Sequence, residues 1–128
     1  MATTPDESRD PGSFLPLKPD VFLILTILAG GDHYGYGIMQ AAEERSVGRI
    51  RLQAGALYRR LKWLLGEGMI EEVGERVSRE DPEERRRYYS ITPFGRRVAS
   101  SEAQRMGELL AAADRVSLIR DPRLRRGS

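Results

Sequence analysis

The sequence predicts a mainly α-helical fold with one small β-hairpin. Four stretches have the apolar pattern of helices, and glycine or proline separates most of them. Residues 69–77 and 85–91 are typical of two strands, joined by a polar loop that contains Pro82. In the second strand, Tyr89 and Ile91 share one face. At 128 residues without cysteine, the chain is expected to form one domain suited to a reducing cytoplasm.

Residues 1–16 are polar and rich in proline, so we expect a flexible arm there. Pro19 then occupies a favoured first position of a helix. The following run from Val21 to Ala29 is apolar on nearly every side, which suggests that a partner chain covers part of this first helix. The run is too short to span a bilayer, and no signal pattern precedes it. We therefore expect a soluble cytoplasmic protein without a membrane partner.

The glycine-rich segment 30–37 is interpreted as a turn, because its spacing fits neither a phosphate loop nor a dinucleotide fingerprint. His33 is the only histidine and has no cysteine to share a metal, so we expect a loop residue and no metal site. A short second helix should run from Ile38 to Ser46. With no nucleophile–base pair and no cofactor motif, the sequence argues against an enzyme.

The third predicted helix, residues 54–65, has two contrasting faces. Four leucines fall on one arc, and Arg59 and Lys62 lie on the opposite arc, before Gly68 ends the helix. A helix with a buried leucine face and a cationic outer face fits the major groove of DNA. A solvated surface helix would show the same pattern. The leucines are Leu57, Leu61, Leu64 and Leu65.

The charges divide into two basic islands with an acidic spacer between them. The first island spans residues 49–62, the spacer spans 67–84, and the second island is Arg85, Arg86 and Arg87. Two such islands suggest two contact points on a polyanion. Three helices followed by a hairpin with a basic second strand predict a winged helix-turn-helix domain over residues 17–92.

A last helix should begin at the Thr92 cap and Pro93 and extend to about Ile119. Its apolar residues repeat alternately four and three apart, which indicates a seam between two chains. A helix that lies back on its own domain is the alternative. We assign residues 93–120 to a long dimerisation helix and residues 121–128 to a basic tail.

In four segments the residues resemble the PadR family of bacterial transcriptional regulators. Each motif is weak alone, but the four in this order and spacing are specific, and together they cover roughly residues 15 to 115. The segments are Leu15–Leu17, Gly35–Gln40, Gly55–Lys62 with Glu67–Glu71, and Arg85–Gly95.

The resemblance implies a homodimeric repressor that binds an inverted-repeat operator in double-stranded DNA. The third helix would enter the major groove, and the hairpin, or wing, would lie along the phosphates. The first and last helices would form the dimer, and a small aromatic effector would release the DNA. The chain is similar to the smaller type in this family, with a short C-terminal region. It departs from the usual motif at Ala56, which lacks a hydroxyl for a phosphate, and at Gln53, a poor helix cap.

The cationic patterns and the resemblance together predict the residues of two sites. DNA binding is predicted for Tyr36, Gln53, Gly55, Ala56, Tyr58, Arg59, Lys62, Arg85, Arg86 and Arg87. Dimerisation is predicted for Phe22, Leu25, Met106, Leu109, Ala112, Ala113 and Val116.

Three questions stay open at this point. Plain packing is as good a role for Tyr58 as a phosphate contact. Trp63 could touch DNA, a partner or an effector. A winged-helix module for protein–protein contact is the rival function, and the acidic flank of the hairpin at Glu71, Glu72 and Glu75 favours it slightly.

Overall fold

A computed structural model describes residues 9–77 and 85–125. Within these residues it contains four α-helices and three short strands, which confirms the predicted fold class. The helices are α1 (Pro19–Ala29), α2 (Gly35–Arg45), α3 (Ala54–Gly66) and α4 (Pro93–Arg115). The strands are β1 (His33–Tyr34), β2 (Ile70–Val77) and β3 (Arg85–Ile91), and short 3-10 helices cover Pro11–Phe14 and Pro122–Leu124.

Helix α1 lies at the centre of the hydrophobic core. Its residues Ile24, Leu25 and Ile27 are fully buried. The leucine face predicted for α3 packs into the same cluster, where Leu57 and Leu64 are also fully buried. Burial of this apolar surface is the main force that fixes α3 against α1 and leaves the cationic face of α3 outside.

The sheet has the strand order β1-β3-β2, and all its pairs are antiparallel. The sequence pattern missed β1, because residues 33 and 34 lie in a glycine-rich segment that we interpreted as a turn. They become a strand by pairing with Tyr89 and Tyr88 of β3, which are distant in the sequence. The pairing of β2 with β3 shifts register between Glu72 and Glu75, as in a β-bulge.

Two local signals at the ends of helices are confirmed. Gly68, with φ +75°, ends α3 in the left-handed conformation that glycine adopts easily. The Met69 amide then donates to the Leu64 carbonyl and the Gly68 amide to the Leu65 carbonyl, which is a Schellman motif. At the start of α4 the Thr92 hydroxyl accepts from the Gly95 amide at 3.0 Å.

Residues 9–16 were expected to belong to a flexible arm, but in the structure they pack on the domain. Arg9 donates to the backbone carbonyl and to the carboxylate of Glu67, both at 2.7 Å. The Phe14 ring meets Trp63 of α3 and Phe94 of α4 edge-on, with centroids 6.2 and 5.8 Å apart. We call residues 9–17 the N-terminal strap. Residues 1–8 of the expected arm and 126–128 of the basic tail lie outside the described residues.

Glu102 fastens the N-terminal strap to α4. Its side chain is only 1% exposed within its own domain. Its carboxylate accepts a hydrogen bond from the Leu17 amide at 2.8 Å and pairs with Arg105 one turn later. A buried carboxylate is tolerated here because both partners satisfy it.

Replacing Glu102 with alanine is expected to lower the free energy of unfolding by about 1–3 kcal/mol, because the Leu17 amide loses its acceptor. The hydrogen bond from Arg105 holds the pKa of Glu102 below its ordinary value of 4.5, so folding favours the ionised carboxylate. That stabilisation is complete above pH 4.5 and is lost as pH falls through the lowered folded pKa.

Urea unfolding of the wild type, Glu102→Ala and Glu102→Gln, at neutral pH and below pH 4.5, measures both effects. The exposed Glu108 on the same helix provides the control Glu108→Gln. Equal stability of Glu102→Ala and Glu108→Gln at neutral pH would contradict the assigned role.

Candidate nucleic-acid interface

The outer face of α3 presents two cations that no carboxylate of the described residues neutralises. Arg59 and Lys62 are exposed, and within residues 9–77 and 85–125 neither forms an ion pair. Arg60 has a different task, because its Nε donates to Asp20 at 2.9 Å and so ties α3 to α1. The face is completed by Gln53, Gly55 and Tyr58, which are exposed, and by Ala56, which is half-exposed.

The start of α2 lies beside one edge of α3. Gly35 packs so closely on Tyr58 that a Cβ atom at position 35 would lie 2.5 Å from the Tyr58 hydroxyl. Glycine at this point therefore allows the Tyr58 ring to rest against α2 while much of the ring stays exposed. Tyr36, the next residue of α2, is exposed as well.

The hairpin closes this edge into a cleft of about 410 Å³. Arg86 lies over the Tyr34 ring at 4.3 Å, a cation–π contact that holds β3 against β1. Arg87 is more exposed, with its guanidinium 3.6 Å from the Glu72 carboxylate. Arg85 begins β3. The cleft is lined by Tyr34, Tyr36, Tyr58, Glu75, Arg86 and Arg87.

The cleft combines arginine side chains with tyrosine hydroxyls, which are the groups that hold phosphate oxygens in protein–DNA complexes. Acidic groups reduce its charge, because Glu72 faces Arg87 and Glu75 lines the wall. Partial burial and the charge of Arg45 lower the pKa of the nearby His33 below 6.5, although Asp32 opposes them, so this histidine adds little to the positive charge. The cleft is therefore only moderately basic.

Other kinds of site find little support in the described part of the chain. No group of three or more His, Cys, Asp or Glu residues there is arranged to hold a metal ion. No helix among those residues has the length and apolar character needed to cross a membrane.

A sequence model of the family described as "Transcriptional regulator PadR-like family" matches residues 24–101. This match covers more than half of the chain, from within α1 to within α4. The chain belongs to the PadR-like family. The resemblance noted in the sequence is thereby confirmed, and the family consists of transcriptional regulators rather than enzymes.

Solved structures agree with the fold of this PadR-like chain. A transcriptional regulator from Clostridium thermocellum is 25% identical, with a TM-score of 0.63 over 78% of this chain and 90% of that one. A PadR family transcription regulator from Clostridium difficile is 24% identical, with a TM-score of 0.63 over 77% and 98%. Bacillus subtilis PadR, in complex with operator DNA, is 22% identical, with a TM-score of 0.56 over 63% and 44%. Comparison with curated proteins finds no match.

Of the residues predicted to bind DNA, Tyr36, Tyr58, Arg86 and Arg87 meet in one cleft of the PadR-like domain, although they are far apart in the sequence. Ala56 lines a separate groove instead. The sequence reasoning missed Tyr34 and Glu75 in the cleft. Tyr34 was hidden by its place in the glycine-rich segment. Trp63 has a definite neighbour in Phe14, yet remains partly exposed.

The residues predicted to form the dimer fall into two groups. Leu25 is fully buried in its own domain, so it belongs to the core and cannot touch a partner in this fold. Phe22 is half-buried and packs against the core. Helix α4 ends at Arg115 and not near Ile119 as predicted, so Val116 is its C-cap residue. Leu109, within the helix, is 57% exposed, and Val116 is 67% exposed. Ala112 is exposed, and Met106 and Ala113 are half-buried.

Proposed function

We propose that this PadR-like regulator is a homodimeric repressor that binds an inverted-repeat operator in double-stranded DNA. The observation that carries the proposal is the pair of exposed cations, Arg59 and Lys62, on a helix whose opposite face is locked in the core. A rigid helix can present such side chains to base edges in the major groove. Repression, in preference to activation, rests on the family resemblance.

The arrangement around α3 supports two kinds of contact. Arg59 and Lys62 would read base edges or hold phosphates within the groove, helped by the small Gly55 and Ala56, which let α3 approach closely. Tyr36, Tyr58, Arg86 and Arg87 surround a cleft beside the helix, at the place expected for a phosphate backbone. Phosphate contacts set the position of the protein, and base contacts set its specificity.

A protein–protein module is the second candidate. Exposed carboxylates on β2, among them Glu71, Glu72 and Glu75, give the hairpin a mixed charge that a basic protein surface could accept. That function would leave the exposed cations of α3 without a partner of opposite charge. DNA is the better explanation of those cations.

Helix α4 supports the dimer. Its first half packs on its own domain through Val98 and Glu102, which are buried. In its second half the apolar stripe reaches the surface at Leu109 and, just past the last helical residue, at Val116. Exposed leucine and valine at heptad spacing favour contact with a second copy of the helix.

Replacing Leu109 with glutamate is therefore expected to shift the protein from dimer to monomer and raise its dimer dissociation constant at least tenfold. A charge buried in an apolar seam is strongly disfavoured. Leu124 is also exposed but lies beyond α4, so Leu124→Glu is a matched control. Analytical ultracentrifugation measures the change, and equal dimerisation of both variants would contradict this seam.

Fluorescence anisotropy of the wild type tests the function. It should bind a duplex from upstream of its own gene more tightly than a scrambled duplex, and more weakly as salt rises. Equal, weak binding to both duplexes would reject the DNA-binding proposal.

In the same assay, a small aromatic effector would displace the protein from the duplex. A cavity of about 330 Å³, lined partly by Phe14, Leu17 and Trp63, is a suitable place for one.

A further inference from the structure

A second basic surface lies on the side of α3 that faces α1. It is an open groove of about 450 Å³. Lys18 directly precedes α1, and Arg49 and Arg51 lie in the connection between α2 and α3. The basic island at residues 49–62 is thus divided in the fold between the outer face of α3 and this groove. The residues that line the groove include Lys18, Asp20, Arg49, Arg51, Ala56 and Arg60.

The charge balance of the groove is positive. Arg60 is satisfied by Asp20, at 2.9 Å. Arg51 lies 3.3 Å from Glu43, but the two side chains are 76% and 57% exposed, and such a surface pair is weak. Lys18 and Arg49 are exposed and form no ion pair with another described residue. Three of the four cations can therefore accept a new anionic partner.

The position of the groove beside α3 indicates which anionic partner it would bind. At about 100° per residue, Arg59 and Lys62 fall between Tyr58 on one edge of the helix and Ala56 and Arg60 on the other. Tyr58 belongs to the cleft beside the hairpin, and Ala56 and Arg60 belong to the groove. A helix in the major groove has a phosphate backbone on each side, since the groove is about 12 Å wide.

We propose that Lys18, Arg49 and Arg51 bind the phosphates of one DNA strand while the hairpin cleft binds those of the other. This inference rests on the proposed function and extends its contact surface. Phosphate oxygens would replace Glu43 beside Arg51 and would pair with Lys18 and Arg49, which have no ionic partner among the described residues. Such contacts are independent of base sequence, so the groove contributes affinity and orientation but no discrimination.

The test measures operator affinity against salt for the full chain with Lys18, Arg49 and Arg51 changed together to glutamine. Each phosphate contact that is lost should reduce the slope of log affinity against log salt by about 0.9. Binding should weaken about equally, at least tenfold, for the operator and for a scrambled duplex. The ratio of the two affinities should stay unchanged.

Arg45→Gln is the control, because Arg45 is an exposed cation near Gly30, at the other end of α1 from Lys18. It removes charge without touching the groove and should leave the slope as it is in the wild type. The inference is overturned if the wild type binds with a steep slope and the triple variant keeps that slope. It is also overturned if the triple variant binds DNA as the wild type does but no longer binds an acidic protein partner. Failure of the wild type to bind any duplex would be a different result, since it rejects the proposed function itself.

Discussion

Replacing Gly95 with alanine is expected to lower the melting temperature by about 10 °C or more. Gly95 lies in the first turn of α4, where the helix presses against the backbone of Met69. A Cβ atom at position 95 would come within 2.8 Å of the Met69 carbonyl carbon and still closer to its oxygen. Neither atom can rotate away, because the same carbonyl accepts a hydrogen bond from the Thr92 amide. The clash must therefore separate α4 from the start of β2.

Gly66→Ala is the matched control for this prediction. Gly66 is also helical, but nothing lies within 4 Å of the position that its Cβ would take. Alanine there should stabilise α3 by roughly 0.5–1 kcal/mol, because glycine is the poorer helix former. Thermal unfolding followed by circular dichroism compares the two. Similar melting temperatures would show that α4 tolerates a side chain at position 95.

Changing Arg59 and Lys62 together to alanine is expected to weaken operator binding about 100-fold or more, since a bidentate arginine contact alone contributes about 1–3 kcal/mol of discrimination. The preference for operator over scrambled duplex should fall as well. That loss of preference separates these two residues from Lys18, Arg49 and Arg51, whose removal should weaken both duplexes alike. Alanine favours the helix, so α3 should stay folded.

Anisotropy on both duplexes measures this effect. Arg45→Ala controls for the loss of positive charge, and circular dichroism controls for folding. If the double variant kept both its affinity and its preference, α3 would not be the reading helix. The protein–protein alternative would then gain support.

Local patterns were enough to predict most of the fold. The leucine spacing of α3, the glycine at its end and the threonine–proline start of α4 each act over a few residues, so the sequence shows them directly. Strand β1 and the N-terminal strap depend on distant partners. His33 and Tyr34 become a strand only by pairing with β3, and Arg9 is held by Glu67, which is far away in the sequence.

The same reasoning explains what the sequence revealed of the site. Arg59 and Lys62 could be predicted because their helix is amphipathic. Lys18 could not be grouped with Arg49 and Arg51, because the folded chain is needed to bring the start of α1 beside the connection before α3. The buried role of Glu102 was also hidden, since a heptad pattern does not show which neighbours satisfy a carboxylate.

The N-terminal strap has a consequence for the distance between the two DNA-reading helices of a dimer. Phe14 is wedged between Trp63 near the end of α3 and Phe94 at the start of α4, and Arg9 stacks on Phe94 while it grips Glu67. These contacts hold the helix proposed to read DNA and the helix proposed to join the two copies in a fixed relative position. The separation of two such helices in a dimer would then depend on aromatic contacts within each copy, so a change at Phe14 should alter that separation without removing a predicted DNA-binding side chain.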